Sequence, residues 1–149
     1  MNCPIVFKKA TLEDEGEYLR LSKLFYATDA VLSPLPEEFH KNIFKEICRS
    51  SAYLEAFSFA GEIAGYGLVS KRFSTEAGGL ECWVEDLFVL PEFRGKGIGG
   101  AFLDFVKKRY STNRFRLEVE EENHRAVALY RKHGFEFLSY RQMICDAGN

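Results

Sequence analysis

Length, composition and charge are those of an ordinary globular domain. The chain has 149 residues, 46% of them hydrophobic and 28% charged, so a single domain over 1–149 with a substantial core is expected. A net charge of −2 gives no reason to expect nucleic acid or an anionic membrane as a partner. No apolar run approaches the roughly 20 residues of a membrane helix. The four cysteines form no CxxC pair, which predicts no metal site and a cytoplasmic protein with reduced thiols.

Hydrophobic periodicity and turn signals predict the elements of the first half of the chain. In order, they are a strand at 3–10, a helix that Thr11 caps, a second helix after 33–38, and two strands within 52–73 joined at Gly61–Glu62. The first helix is expected to bury Leu12, Leu19, Leu24 and Phe25. The loop-like, proline-containing segment 27–39 lies between the two helices.

The second half begins with an apolar strand at 80–90, which is typical of a central strand covered on both faces. The elements that follow are a helix to 109, a strand at 114–120, a helix from Asn123 to Gly134 and one or two strands within 135–145. A right-handed crossover would make strands 80–90 and 114–120 parallel. The prediction is an α+β fold in three layers (α/β/α), with a mixed, mostly antiparallel sheet of six to seven strands and about four helices.

Four glycines stand between strand 80–90 and the next helix. They are Gly95, Gly97, Gly99 and Gly100, in the stretch LPEFRGKGIGG. A glycine-rich turn at a helix N-terminus exposes main-chain N–H groups at the positive end of the helix dipole, and that arrangement binds phosphate. Arg94 and Lys96 add positive charge. The stretch therefore predicts a pyrophosphate site.

A dinucleotide-binding domain is one alternative for this pattern. Gly95, Gly97 and Gly100 fit G-x-G-x-x-G, and Glu120 stands about twenty residues further on. The position in the chain argues against it, because too little sequence follows the motif to complete two mononucleotide-binding halves.

Two blocks resemble the GNAT superfamily of acetyl-CoA-dependent N-acetyltransferases. Arg94 to Gly99 matches the signature Arg/Gln-x-x-Gly-x-Gly/Ala, and Asn123 to Tyr130 matches Asn-x-x-Ala-x-x-x-Tyr, followed by Gly134–Phe135. The resemblance covers about 80–138, and the run VEDLFVLPEFRGKGIGG is most similar to the diamine (spermidine/spermine-type) acetyltransferases. It implies the acyl-CoA N-acyltransferase fold, with strands 80–90 and 114–120 as a splayed parallel pair.

The resemblance also implies acetyl-CoA as cosubstrate. The glycine loop would hold the pyrophosphate, and the strand edge before it would hold the pantetheine arm. The residues implied to bind the cofactor are Leu87, Phe88, Val89, Arg94, Gly95, Lys96, Gly97, Ile98, Gly99, Gly100, Asn123 and Ala126.

The same resemblance implies two catalytic residues. Tyr130 would protonate the leaving thiolate, and Glu85 would accept the proton of the attacking amine. Glu85 is expected to be buried among apolar strand residues, and Asp86 to point to the other face in a structural role. Two interpretations of the acidic stretch 118–123 stay open: it helps to attract a cationic amine, or it is a solvated strand end that favours the N-terminus of the following helix.

The implied function is acetyl transfer to a primary amine of a small molecule by direct attack in a ternary complex. Polyamines are one acceptor class to consider, and a homodimer is a state that family members often adopt. Two alternatives stay open: a non-catalytic acyl-CoA sensing module and an acetyltransferase that acts on a protein amine.

Overall fold

The computed structural model describes residues 5–49, 53–59 and 62–148, with only the backbone described for 53–59. The predicted turn at Gly61–Glu62 and the predicted start of the first strand lie partly outside these residues. The strands are β1 (Ile5–Lys9), β2 (Tyr53–Phe59), β3 (Glu62–Ser74), β4 (Gly79–Val89) and β5 (Arg114–Leu117). The α-helices are α1 (Glu15–Phe25), α2 (Glu37–Arg49), α3 (Ile98–Arg109) and α4 (His124–Lys132).

The strands form one mixed sheet in the order β1-β2-β3-β4-β5. The first three pairings are antiparallel, and β4 pairs with β5 in parallel. The predicted parallel pair is therefore confirmed. It follows from the crossover through α3, which connects two neighbouring strands of the same sheet.

Apolar cores lie on both faces of the sheet. On one face α1 and α2 pack against β3 and β4, through residues that include Tyr18, Phe44 and Phe88. On the other face α3 packs against the sheet, with Phe102 and Val106 at its centre. The three-layer arrangement is thus confirmed, and β4 is covered on both faces as its apolar sequence predicts.

The predicted count of six to seven strands is wrong for the part of the chain that the structure describes, where the sheet has five. The strands expected within 135–145 do not form. Segment 135–148 has no regular secondary structure and is largely exposed, with Met143 96% exposed. A strand is stabilised by its neighbour in the ladder, and apolar sequence alone does not supply one.

The buried face of α1 also differs from the prediction. Leu12 and Leu24 are exposed, whereas Tyr18, Leu21, Ser22 and Phe25 are buried. Leu12 lies in a short 3-10 turn before the helix, so it does not share the helical phase of the later residues. From Tyr18 onward the spacing is that of one helix face.

His40 of α2 makes stability depend on pH. Its side chain is 3% exposed, and Nδ1 lies 2.7 Å from the Ser22 hydroxyl of α1. Burial, aided by the charge of Lys23, lowers the pKa of His40. In the unfolded chain His40 gains a proton below about pH 6.5, so the free energy of unfolding should fall as pH decreases through that value.

Thermal unfolding at pH 7.5 and 5.5 measures this effect. We expect His40→Gln to reduce the difference in Tm between the two pH values. His124→Gln is the matched control because His124 is exposed. An equal pH dependence in the wild type and the His40→Gln protein would exclude His40 as its source.

Candidate functional site

The parallel strands β4 and β5 lie at one edge of the sheet and separate part of the way along β4. Their pairing runs from Glu81 opposite Arg114 to Val84 opposite Leu117. β5 then ends, while β4 continues to Val89. Main-chain groups of β4 beyond Val84 therefore have no β5 partner on that side. This edge can bind an extended ligand by main-chain hydrogen bonds.

The glycine loop contains two glycines that its backbone conformation requires. Gly95 and Gly97 both have φ of 78°, in the left-handed region, and Gly97 is the N-cap of α3. A Cβ on either would meet no atom within 4 Å. Their role is therefore to shape the loop and leave open space in front of its N–H groups.

Gly99 and Gly100 serve a different purpose. A Cβ on Gly99 would lie 3.2 Å from Leu129, and one on Gly100 would lie 2.8 Å from the His133 ring. Both neighbours follow Asn123 in the second sequence block. These two glycines therefore let α4 approach the first turn of α3, which brings the two blocks of the resemblance together.

A cavity of about 820 Å³ joins the glycine loop, the separated edge of β4 and the start of α4. The predicted site residues that line it are Leu87, Phe88, Val89, Arg94, Gly95, Gly97, Ile98, Gly99, Gly100, Asn123, Ala126 and Tyr130. Lys96 lies in the same loop but not in the cavity wall. Residues far apart in the sequence thus form one elongated site.

Arg94 and Asn123 both line the cavity and are held in place by hydrogen bonds. Arg94 Nε donates a hydrogen bond to the Val89 carbonyl oxygen at 3.0 Å, and its guanidinium lies 5.9 Å from the Phe88 ring centre. Asn123 Oδ1 accepts a hydrogen bond from the Ala126 N–H at 3.3 Å, which caps α4 as predicted. The charge of Arg94 is therefore fixed beside the loop where a diphosphate would lie.

Tyr130 is half-buried in the cavity wall. Its ring packs 6.0 Å from that of Phe135, the second residue of the Gly–Phe pair. Burial raises the pKa of Tyr130 to about 12. The hydroxyl therefore keeps its proton at neutral pH and is available as a hydrogen-bond and proton donor to a group in the cavity.

A β-bulge in β4 places Glu85 differently from the prediction. Leu68 of β3 lies opposite Asp86 and Val69 lies opposite Val84, so Glu85 is the extra residue. The side chain of Glu85 is exposed and accepts a hydrogen bond from the Ser70 hydroxyl. The expectation that Glu85 is buried is wrong, because the bulge turns its side chain out of the ladder. Glu85 does not line the cavity.

Asp86 takes the buried position instead, at 5% exposure. It accepts hydrogen bonds from the hydroxyls of Tyr26 at 2.8 Å and Tyr66 at 2.9 Å. Burial raises the pKa of Asp86, although the two hydrogen bonds oppose that shift. These contacts fit the structural role expected for Asp86. They also link β4 to the C-cap residue of α1, Tyr26, and to Tyr66 of β3.

Several cavity residues are not among those that the sequence predicts to bind acetyl-CoA or to act in catalysis. They are Phe25, Thr28, Asp29, Ala30, Phe93, Glu120, Glu122, Arg125 and Leu129. Thr28 to Ala30 belong to the segment 27–39, whose loop-like composition was its signal. Glu120 and Glu122 belong to the acidic stretch 118–123. Phe25, Phe93 and Arg125 carry no local signal, because only the fold brings them to the cavity.

A second cavity, of about 880 Å³, lies beside the first along β5. Tyr130 lines both cavities. The wall of the second also includes Arg114, Arg116, Glu118 and Leu32. Tyr130 is therefore the residue that the walls of the two cavities share.

The left-handed conformation of Gly97 yields a test of the loop. An alanine at this position costs about 1–2 kcal/mol in that conformation, so Gly97→Ala should distort the loop. We expect the Kd for coenzyme A, measured by calorimetry, to rise about tenfold or more. Gly16→Ala, in open space on α1, is the matched control and should leave the Kd unchanged. An unchanged Kd in Gly97→Ala would exclude the loop as the phosphate site.

Among the residues with assigned structure, no helix has the length and apolar character needed to cross a membrane.

Comparison with known proteins identifies the family of the chain. The model of the acetyltransferase (GNAT) family matches residues 18–135. Over 80 residues the chain is 35% identical to the thialysine N-epsilon-acetyltransferase of Mus musculus, an alignment that covers 52% of this chain and 46% of the mouse protein. The chain thus spans about half the length of this curated relative.

Two further comparisons extend this result. The spermine/spermidine N(1)-acetyltransferase of Bacillus subtilis strain 168 is 28% identical over 86 residues, or 53% of this chain and 56% of that protein. A solved structure of the aminoglycoside N-acetyltransferase AAC(6')-Iy in complex with CoA has a TM-score of 0.80 at 16% identity, covering 98% of this chain and 97% of that chain. The last comparison shows a shared fold.

Proposed function

Because the chain belongs to the GNAT acetyltransferase family, we propose that it transfers the acetyl group of acetyl-CoA to a primary amine of a small molecule. One observation carries the proposal: the glycine loop, the separated edge of β4 and the ring of Tyr130 line a single cavity. A phosphate-binding loop alone would fit a cofactor carrier. A protonated hydroxyl in the same cavity adds the group that thioester cleavage needs.

The binding step follows from the shape of this cavity. The diphosphate of coenzyme A binds the N–H groups of the loop 94–100, with Arg94 at its side. The pantetheine arm lies along Leu87 to Val89 and forms main-chain hydrogen bonds there. This places the thioester where β4 and β5 part. Asn123 and Ala126 form the wall beside the pantetheine arm on the α4 side.

The chemical step needs a neutral amine, a polarised thioester carbonyl and a protonated leaving group. Glu85 accepts the proton of the acceptor ammonium, directly or through water. A main-chain N–H of β4 polarises the carbonyl oxygen. The amine nitrogen forms a bond to the carbonyl carbon, the carbon–sulfur bond breaks, and Tyr130 donates its proton to the departing sulfur. The second proton of the amine nitrogen passes through water to the Tyr130 oxygen, which restores the hydroxyl and leaves a neutral amide.

Release of the free thiol of coenzyme A from acetyl-CoA tests the proposal. The acceptor panel should contain polyamines, amino acids and aminoglycosides. Polyamines appear in the name of a relative, and aminoglycosides appear in the name of a structural neighbour. We expect amine-dependent thiol release and an acetylated amine of the corresponding mass. Thermal stabilisation by coenzyme A without release for any amine would favour the sensing module, and stabilisation by NAD alone would favour a dinucleotide-binding protein.

A further inference from the structure

Glu81 is a fully buried carboxylate at the start of β4, with 0% exposure. Oε1 accepts hydrogen bonds from Arg72 Nε at 2.8 Å and from Trp83 Nε1 at 3.0 Å. Burial raises the pKa of Glu81, but these hydrogen bonds and the charges of Arg72 and Arg116 outweigh it and hold the pKa below its usual value. Glu81 is therefore ionised, and a buried ionised carboxylate needs positive partners.

Three arginines surround this one carboxylate, and we call Arg72, Arg114 and Arg116 the arginine cluster. Arg114 Nη1 lies 3.5 Å from Oε2 of Glu81, and Arg116 Nη1 lies 3.6 Å from Oε1. Three positive charges against one negative charge leave a surplus of positive charge. A guanidinium has five N–H donors, so these single contacts with Glu81 leave donors for another acceptor.

Two members of the arginine cluster stack on an aromatic ring, and all three can be reached from solvent. The Trp83 ring lies between two of its members, 5.1 Å from the Arg72 guanidinium and 4.5 Å from that of Arg116. The side chains of Arg72, Arg114 and Arg116 are 53%, 33% and 18% exposed. Stacking on an aromatic face limits the entropy that an arginine loses when it binds a ligand.

The cluster lies on the same face of the sheet as Glu85. Arg114 and Arg116 alternate with Phe115 and Leu117, which pack on the α3 side, so both arginines face the α1 and α2 side. Ser70, which binds Glu85, is two residues from Arg72 on β3 and so shares its face.

The positive cluster and the acidic residues lie at neighbouring places along β4 and β5. Trp83 and Glu85 are two residues apart, roughly 7 Å along the strand. In the second cavity, Arg114 and Arg116 share the wall with Glu118 and Tyr130. A ligand here would meet positive charge at one end and negative charge at the other. A molecule whose carboxylate and amine are separated by about the length of a lysine side chain matches this order of charges, with the carboxylate at the arginines and the amine at the acidic residues.

Building on the proposed acetyltransferase activity, we propose that the arginine cluster binds the carboxylate of an amino-acid-like acceptor and directs its terminal amine to Glu85. The carboxylate is unchanged in the reaction, and the amine loses its proton to Glu85 before it attacks the thioester. A polyamine has no group for the cluster, and its positive charges would be repelled by it. The cluster thus selects a zwitterion over a polycation, with Arg116 and Arg114 as specificity-determining residues and Glu81 as the positioning residue.

Lysine and lysinamide provide the matched acceptor pair, since they differ in whether the carboxylate is free or converted to an amide. In the wild type we expect kcat/KM for lysine to exceed that for lysinamide and for spermidine about tenfold or more. Arg116→Gln should raise KM for lysine by a similar factor and leave the value for lysinamide little changed. Arg116→Lys should restore part of the preference because it restores the charge.

Arg49→Gln, on the exposed end of α2, is the control for loss of one positive charge. Arg114→Gln provides a second variant in case Arg116→Gln unfolds, because Arg114 is more exposed. Equal kcat/KM for lysine, lysinamide and spermidine would overturn this inference and leave the proposed activity intact. So would an equal loss for all three acceptors in folded Arg116→Gln. Absence of thiol release with every amine would instead reject the proposed activity.

Discussion

Tyr130→Phe is expected to lower the turnover number about 10²-fold or more, because a positioned general acid contributes roughly that much to proton transfer. The phenylalanine ring keeps the contact with Phe135 and the cavity wall, and only the hydroxyl is lost. The Kd for coenzyme A should therefore change less than about twofold. Steady-state thiol release and calorimetry measure the two quantities separately.

The matched control for this variant is Tyr18→Phe. Tyr18 lies in the core between α1, α2 and the sheet, outside both cavities, so the change also removes one buried tyrosine hydroxyl. We expect nearly unchanged turnover in the Tyr18→Phe protein. Equal turnover in the wild type and Tyr130→Phe would exclude the proton-donor role. A parallel loss of coenzyme A binding would assign Tyr130 to the pocket alone.

The pKa of Tyr130 also restricts the pH profile of the reaction. Because burial raises this pKa to about 12, the hydroxyl stays protonated at every pH at which the protein is normally assayed. Any loss of turnover at acidic pH must then come from groups that need to lose a proton, of which the acceptor ammonium is the first. The Tyr130 hydroxyl thus stays protonated over the pH range in which the acceptor ammonium loses its proton.

The parts of the site that sequence could predict have local causes. The conformation of Gly97 and the cap at Asn123 are decided within a few residues, and both appear as short motifs. The parallel pairing of β4 with β5 follows from chirality, which acts on any β-α-β unit. These features are enough to assign the proposed cofactor site to one loop and one strand edge.

The positions of Glu85 and Asp86 could not be predicted in the same way. A bulge of one residue reverses which side chains face the core, and it is set by pairing with β3, which no local pattern reveals. A strictly alternating strand would place the two carboxylates on opposite faces. The bulge instead brings both to the side of α1 and α2, with Asp86 buried and Glu85 exposed.

The structure of the C-terminal segment and the arginine cluster also could not be predicted from local sequence patterns. Segment 135–145 has strand-like composition but gains no ladder partner in the residues that are described. The cluster joins residues from β3 and β5, and the register of these strands with β4 brings them around Glu81. Charged residues more than 40 positions apart give no sign in the sequence that they share one carboxylate.

Glu85→Gln is expected to lower catalytic activity with little change in stability, and Asp86→Asn at the adjacent residue is expected to lower stability. Glu85→Gln removes an exposed carboxylate that supports no core contact, so Tm should change little. We expect kcat/KM to fall about 10²-fold through loss of the proton acceptor. The ratio of wild-type to variant activity should be larger at pH 6.5 than at pH 9, since the ammonium with a pKa of about 10.4 is more fully protonated at the lower pH.

Asp86→Asn should have the opposite effect, because its carboxylate accepts hydrogen bonds from Tyr26 and Tyr66 inside the core. An amide replaces one acceptor oxygen with a donor, which leaves a buried group without a partner at a cost of about 1–3 kcal/mol. At roughly 2–4 °C per kcal/mol for a chain of this size, Tm should fall by several degrees. If Asp86→Asn instead lowered turnover with Tm unchanged, while Glu85→Gln left the activity ratio constant across pH, the proton acceptor would be Asp86, and the bulge would serve to bury the catalytic carboxylate.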